Sequence, residues 1–328
     1  MSFHYKIYGL QVASSRPINL LDERQNRGEE TDLFVRWSSA KSETPDESLK
    51  WERILTNDLK RRKGISLWTS ETANGVYTKL RFMTELSHID FLLDGAKKNL
   101  WITHDRDEAE SDLDSYFVGP ALGSLLRLLG TICLHASAVN VGEKAVVFLG
   151  KKRGGKSTTA AGFHRLGYRV LSDDIAVIKK RDDNYFIESG YWKIRLRPKP
   201  AAALFQTGVE QMPTVYKHRD SRYLSLEKEN DFSRDSLPLA AIYLLGEINE
   251  GDTTPFVEPI EPSERVVKLT ENTFGSYVIN QKLRGEEFAL LAALAKKTPF
   301  RRLMFGHDLR TIDLQCQTVV EDLRNLTE

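Results

Sequence analysis

Cysteine is scarce in this chain. Its 328 residues include two, Cys133 and Cys316, far apart and without metal-ligand spacing. A zinc module built on paired cysteines is therefore excluded. Both sit among apolar neighbours, and buried thiols are expected. Excess charge is missing as well. Lys and Arg number 47 against 46 Asp and Glu, a formal net charge of +1. That balance gives no bulk attraction to nucleic acid or to an anionic membrane. No apolar run reaches the length that spans a bilayer, and the N-terminal residues lack a signal-like apolar core. The expected compartment is a reducing cytoplasm. Internal repeats and low-complexity tracts are absent too. What is present, 41% hydrophobic and 28% charged residues, suits a globular protein with a sizeable core. The length allows one large or two modest domains.

Residues up to about Asp105 read as β-rich. Apolar and β-branched residues alternate through His4–Val12, Asp32–Trp37, Ile65–Trp68 and Val76–Phe82. Asn74-Gly75 predicts a hairpin turn between the last two runs. The polar stretch Ser38–Leu49 reads as a mobile loop, and Trp51, Trp68 and Trp101 as core residues. Acidic residues from Asp105 to Asp114 form a linker into a helix, with helical apolar spacing over Phe117–Leu129. The expected division is a β-rich N-terminal region, 1–112, and a second domain, 113–328.

One segment carries chemistry. The apolar strand Ala145–Leu149 runs into Gly150-Lys151-Lys152-Arg153-Gly154-Gly155-Lys156-Ser157, and a helix follows from about Lys156 to Gly167. The loop fits G-x-x-x-x-G-K-[ST] at every fixed position. A helix N-terminus offers unpaired N–H groups and a positive dipole end, and glycines let the backbone wrap phosphate oxygens. Lys156 is expected to reach the β- and γ-phosphates, and Ser157 to place its hydroxyl on Mg²⁺. Thr158 completes the nucleotide-binding set.

Soon after comes Leu171-Ser172-Asp173-Asp174-Ile175, at the end of a β-like run from Tyr168 to Leu171. Two adjacent carboxylates there divide the labour: one holds Mg²⁺, the other accepts a proton from a hydroxyl nucleophile. Alone, an Asp pair reads as a turn that caps a strand. Downstream, Ala176–Leu196 is β-like, with a turn at Asp183-Asn184. Arg195, Arg197, Lys199, Lys217, His218, Arg219 and Arg222 form a basic stretch, either a solvated surface or a contact for phosphates or an acidic peptide. The polar segment Tyr216–Asp231 is expected to be a mobile lid. A strand is expected over Ala240–Leu245, a helix from Ser263 as N-cap, a strongly amphipathic helix over Arg284–Lys297, a strand over Arg301–Phe305 and a terminal helix over Val319–Leu326.

Leu134-His135-Ala136-Ser137-Ala138-Val139, the glycine-rich loop, and Gly167 through Asp174 together resemble the kinase core of HPr kinase/phosphorylase. The pattern is closest to the HPr-kinase-like proteins that phosphorylate lasso-peptide precursors. A strand like Tyr5–Ser15, a helix like Tyr116–Leu122 and a late strand like Pro238–Leu245 extend the likeness over most of the chain; it is specific from His135 to Asp174. The resemblance implies an α/β fold, with a P-loop core of the HPr kinase/PEP carboxykinase-like type after the β-rich region. It implies ATP and Mg²⁺, with Asp174 as proton acceptor, Asp173 its acidic neighbour, and His135 and Lys156 in the active site. It also leaves homo-oligomerisation open. Glu188 stands near the place of a metal-binding Glu, but an exposed loop carboxylate is the reading here.

The chain departs from the HPr-directed pattern at Lys151-Lys152-Arg153 and Thr158, and lacks the long glycine-rich signature after the core. The expected reaction is Mg²⁺-dependent transfer of the γ-phosphate of ATP to a serine-type hydroxyl, on a peptide such as a lasso precursor. A small-molecule hydroxyl is the alternative. The rivals of other classes are a non-catalytic ATP-sensing module and a P-loop ATPase coupled to motion. The short Val170-Leu171-Ser172 run before the Asp pair suits that ATPase less well than a kinase.

Overall fold

A computed structural model describes residues 2–24, 28–38, 43–57, 64–84, 87–105, 110–205, 208–226, 230–248 and 253–326. Parts of the polar loop (39–42), the acidic linker (106–109) and the expected lid (227–229) lie outside the described residues. The protein is mixed α/β. Its backbone contacts group into two units, 1–121 with 216–218, and 122–215 with 219–328.

The first unit is built on one eight-stranded sheet. Its strands are β1 (Phe3–Ile7), β2 (Leu10–Ser14), β3 (Leu33–Ser38), β4 (Glu52–Asn57), β5 (Ile65–Thr72), β6 (Gly75–Met83), β7 (His88–Leu93) and β8 (Asn99–His104), in spatial order β1-β2-β3-β8-β7-β6-β5-β4. The run His4–Val12 is two strands rather than one, because Tyr8 and Gly9 turn the chain at φ 53 and 76. In β3 the side chains alternate, Leu33 and Val35 buried, Phe34 and Arg36 exposed, which fixes the face that meets the core. The hairpin at Asn74-Gly75 forms as expected. Gly75 sits at φ 104, and a Cβ there would lie 2.6 Å from the Gly95 carbonyl oxygen, so the turn requires glycine.

The opposite face of this sheet is polar. Arg81 grips the directly facing Asp90 through two hydrogen bonds of 2.6 Å. Lys79 pairs with Asp46 at 2.7 Å. Trp51, Trp68 and Trp101, expected in the core, are half-buried. The Lys79 ammonium lies 4.4 Å from the Trp51 ring and 5.5 Å from that of Trp68, so those two indoles serve as platforms for a cation. After α1 (Glu110–Tyr116) the helix expected over Phe117–Leu129 does not start cleanly. Pro120 and a non-helical Gly119 interrupt it, and regular turns resume only at α2 (Leu122–Leu128).

The second unit is a helix–sheet–helix sandwich. Its strands are β9 (Ile132–Leu134), β10 (Ser137–Val141), β11 (Lys144–Leu149), β12 (Val170–Ser172), β13 (Ala176–Arg181), β14 (Asn184–Ile187), β15 (Lys193–Leu196), β16 (Arg222–Ser225), β17 (Leu237–Glu247), β18 (Phe256–Pro259) and β19 (Phe300–Phe305). Its further helices are α3 (Lys156–Arg165), α4 (Pro198–Leu204), α5 (Pro262–Glu271), α6 (Gln281–Lys297) and α7 (Ile312–Asn325). Strand β11 reads as an unbroken apolar run because both its faces are covered. Val146 and Phe148 join the core under α3, α4 and α7; Ala145, Val147 and Leu149 join the core under α5 and α6.

The main sheet runs β12-β10-β11-β17-β14-β13-β9. Only His135 and Ala136 separate β9 from β10, yet these strands lie far apart in that order. Only Asp173, Asp174 and Ile175 separate β12 from β13. The sheet therefore curls, and two chain paths leave one part of it and rejoin another. Both breaks fall at residues with candidate chemistry.

Several expected boundaries move. Helix α5 begins with Pro262 at its first turn and Glu261 before it, so Ser263 is inside the helix. Helix α6 starts at Gln281, where the Asn280 side chain accepts from the Leu283 amide. It is less amphipathic than expected, because Phe288 and Leu290 stand exposed. The terminal helix starts at Ile312, and the turn after β13 is Asp182-Asp183. The expected lid contains an ordered strand, β16, paired with β15. Cys133 and Cys316 are buried free thiols, and burial pushes Cys133 up to about 12 and Cys316 up as well. Among the described residues, no helix is long and apolar enough to cross a membrane.

Candidate functional site

Strand β11 delivers the chain into the glycine-rich loop, and α3 leaves it. Gly155 precedes the helix at φ 94, in the left-handed region, and α3 has no side-chain cap on its first N–H groups. A glycine N-cap leaves those donors to any anion that binds. Gly150 packs tightly: a Cβ there would meet that of Leu245 at 3.2 Å. Arg153 adopts φ 68, so the loop bends at a residue that does not favour it. Lys156 is buried, and its ammonium donates to the loop's own carbonyls, Gly150 at 2.8 Å and Lys151 at 3.2 Å. Desolvation lowers the Lys156 pKa, and Asp174 and Asp173 partly oppose that. Lys151, Lys152 and Arg153 are exposed, with Lys151 paired to Glu247 at 2.7 Å. Ser157 and Thr158 are half-buried on the first turn.

The Asp pair occupies the break between β12 and β13, and its two members have different surroundings. Asp173 is fully buried. Its carboxylate accepts from the Ser137 hydroxyl at 2.6 Å, from the Arg195 amide at 2.9 Å and from Ser157. Burial nevertheless raises its pKa, with those hydrogen bonds pulling the other way. Asp174 sits at φ 71, a backbone conformation Asp tolerates better than most residues. The Arg195 guanidinium donates to it at 2.8 Å, and the His135 Nδ1 lies 3.2 Å from its other oxygen and 3.0 Å from its carbonyl. Burial pushes the Asp174 carboxyl up, but Arg195, His135 and Lys156 together outweigh it and hold it well below the usual carboxylate range.

His135 lies in the other break, between β9 and β10. Its backbone amide donates to the Asn272 carbonyl at 2.7 Å, and the Asn272 side chain accepts from the Gly150 amide at 3.2 Å. The fold thus brings together His135, the loop from Gly150 to Ser157, Asp173 and Asp174. Sequence reading missed Asn272, which carries no motif signal at the end of α5. Arg195 stood in the basic stretch without a specific partner; only its position beside the Asp pair gives it one. Ser137 was read as part of the His-Ala-Ser segment and turns out to hold Asp173. Glu188 is buried rather than exposed, and pairs with Arg181 at 2.7 Å. Arg222 lies in β16, opposite Leu196.

The residues present fit a magnesium ion. Mg²⁺ prefers hard oxygen donors and takes one or two from protein, with water and phosphate for the rest. The hydrogen-bonded Ser157 hydroxyl and Asp173 carboxylate are such a pair. Among the described residues, no cluster of three or more His, Cys, Asp or Glu side chains is gathered as an all-protein cage.

No protein-family model matches the chain, and no curated protein matches it. Among solved structures it is similar to the HPr(Ser) kinase/phosphatase from Coxiella burnetii, at 11% identity, over 60% of this chain and 97% of that one, with a TM-score of 0.32. So loose a superposition does not bear on function, and the functional reading rests on the residues of the site.

Proposed function

We propose that this protein is an ATP-dependent kinase with a P-loop core of the HPr kinase type, transferring the γ-phosphoryl group to a hydroxyl. The observation that carries the reading is the meeting of three elements. An uncapped helix start at Gly155, the buried lysine that is the helix's first residue, and two unlike carboxylates from the later β12–β13 break lie together. The loop amides and Lys156 bind the phosphates. In the free protein Lys156 rests on loop carbonyls, and phosphate oxygens replace them. When bound, Mg²⁺ neutralises charge on the phosphate oxygens, and Ser157 and Asp173 are the residues that would hold it.

Asp174 accepts the proton of the attacking hydroxyl. Arg195, His135 and Lys156 keep it ionised at neutral pH, which is the form that can accept a proton. A strongly basic carboxylate is not required, because a loose transition state leaves most catalysis to positioning and charge neutralisation. His135 orients the Asp174 carboxylate from the adjoining break.

The acceptor we propose is a serine-type hydroxyl on an extended peptide, such as a lasso-peptide precursor. The sequence resemblance supports it, and the exposed cations Lys152 and Arg153 suit a peptide carboxylate. The test is incubation with labelled ATP and four acceptors: HPr, a Ser-terminated peptide with free C-terminus, its amidated form, and small alcohols. Label on the free peptide is expected. Label on HPr alone or on small alcohols alone would reject the peptide acceptor. Equal labelling of both peptides would remove the carboxylate contact and leave the kinase.

A further inference from the structure

The two carboxylates of the Asp pair are not equally open. Asp173 is fully buried, whereas the Asp174 side chain keeps 20% of its surface exposed. Of the three basic groups near Asp174, His135 is the most open, at 38% of its side chain, against 16% for Arg195; Lys156 is buried. A molecule from solvent therefore approaches Asp174 past the imidazole.

The wall beside that imidazole comes from the loop between α5 and α6, residues 272–280. Its first residues lie along β9 as an added strand. The His135 amide donates to the Asn272 carbonyl and the Phe274 amide to the Cys133 carbonyl, both at 2.7 Å, and Leu134 faces Thr273 in an antiparallel bridge. This register puts the Phe274 ring 6.3 Å from that of His135. The same ring reaches Gly123 of α2, where a Cβ would lie 2.6 Å from it and 2.6 Å from the tip of Ile175, the residue after Asp174. Glycine at 123 is thus what admits Phe274 beside the Asp pair. Gly275, at φ 61, then turns the chain, and Tyr277 comes back against Ser124 of α2. Burial pushes the Tyr277 hydroxyl pKa up, Ser124 opposes that, and the charge of Asp174 adds to it, so this ring too lies within electrostatic reach of the carboxylate. The far end of the loop is held as well. Val278 and Ile279 are buried, and Arg284 donates to the Ser276 and Ile279 carbonyls at 3.1 and 3.3 Å. Phe274 and Tyr277 themselves are half-buried. Two rings fixed in this way beside a proton acceptor are a preformed apolar face.

We propose that Phe274 and Tyr277 select the acceptor: they receive a large apolar group carried next to the hydroxyl that is phosphorylated. The proposal rests on the kinase reading of the site, with Asp174 as proton acceptor, and adds to it which acceptors the site prefers. Covering the open part of the two rings removes apolar surface from water, which favours an apolar neighbour. A charged group in the same place would lose its water without gaining a partner from either ring edge.

The test uses the intact chain, Phe274→Ala and Phe274→Leu, with two peptides that end in Leu-Ser or Gly-Ser and are otherwise identical. Transfer of labelled phosphate gives kcat and KM for each peptide, and titration with Mg-ATP checks that each variant keeps its nucleotide site. Wild type is expected to favour the leucine peptide at least about tenfold in kcat/KM, the scale on which an apolar pocket discriminates. Phe274→Ala should cut that preference to about twofold or less, by raising KM for the leucine peptide more than for the glycine peptide. Phe274→Leu, which stays apolar, should keep most of it. Hydrogen exchange on the wild type needs no variant: the leucine peptide should slow exchange over 273–278 more than the glycine peptide does. Equal transfer to both peptides by wild type, a preference that survives in Phe274→Ala, or no peptide-dependent slowing over 273–278 would overturn the selecting wall. Equal losses on both peptides, carried by kcat, would make Phe274 a support for His135 and overturn it too. These outcomes leave the kinase reading standing. If wild type binds Mg-ATP but labels neither peptide, the acceptor reading of the site fails, and this proposal fails with it.

Discussion

The two units treat charge in opposite ways. In the first, ions are matched one to one: Arg81 opposite Asp90 across β6 and β7, and Lys79 with Asp46 in the turn before β4. Each of these two carboxylates has a cation of its own. In the second, two chain paths break, and the breaks gather two adjacent carboxylates, a histidine, an arginine and a lysine. Asp173 relies on hydroxyl and amide donors, while Asp174 takes the cations. Matched pairs stabilise a sheet. An unequal pair beside an uncapped helix start is what the proposed phosphoryl transfer calls for.

Substitutions in the two units should therefore separate function from stability. The largest effect is expected from Asp174→Asn, which keeps the shape but cannot accept a proton at neutral pH. Transfer should fall by about 10²–10⁴-fold, while nucleotide affinity stays within about tenfold. Single-turnover kinetics beside equilibrium binding checks both; wild-type turnover by this variant would remove Asp174 from the base role.

Arg81→Gln should do the reverse. It leaves Asp90 buried without its cation, a loss of about 3–5 kcal/mol for a fully buried pair and less here because Arg81 is partly exposed. Denaturant unfolding should show that loss, and the nucleotide affinity of the folded fraction should not change. A drop in affinity at full folding would break the division of roles between the units.

The smallest effect is a pH dependence. The folded Asp174 pKa lies below its ordinary value of 3.8. Its ionised form therefore contributes stability that is present above that value and lost as pH falls through the lower folded one. Asp173 has the opposite sign, since burial raises its pKa and stability declines as pH rises from the ordinary value through the raised one. Melting curves from neutral to acid pH should show Asp174→Asn destabilised most at neutral pH and converging on wild type in acid. The Asp173→Asn difference should move the other way. Parallel slopes for the two variants would contradict their assigned surroundings.

Much of the site was legible because its parts are local. The loop spacing, the strand before it and the helix after it lie in one stretch, and the structure places α3 at Lys156 as that spacing predicts. The Asp pair was legible as a pair, but not as two unlike groups. Ser137 and Arg195, which distinguish them, come from distant segments. The curl of the sheet was not legible at all. Strand signals give length and alternation, and nothing in β9–β10 or β12–β13 states that each path changes neighbours at its break. Trp51 and Trp68 misled for a related reason: an indole fits an apolar core and a cation platform equally well, and only the position of Lys79 decides.

Isothermal titration of Mg-ATP into wild type, Lys156→Ala and Arg81→Gln tests the central claim most directly. Lys156→Ala removes a charged donor from a cradle otherwise built of backbone, a loss of about 1.5–3 kcal/mol or more. Wild type and Arg81→Gln should bind alike, and Lys156→Ala should bind at least about tenfold more weakly or not detectably. Equal affinities for wild type and Lys156→Ala would contradict the account, because the glycine-rich loop would then not be the triphosphate site.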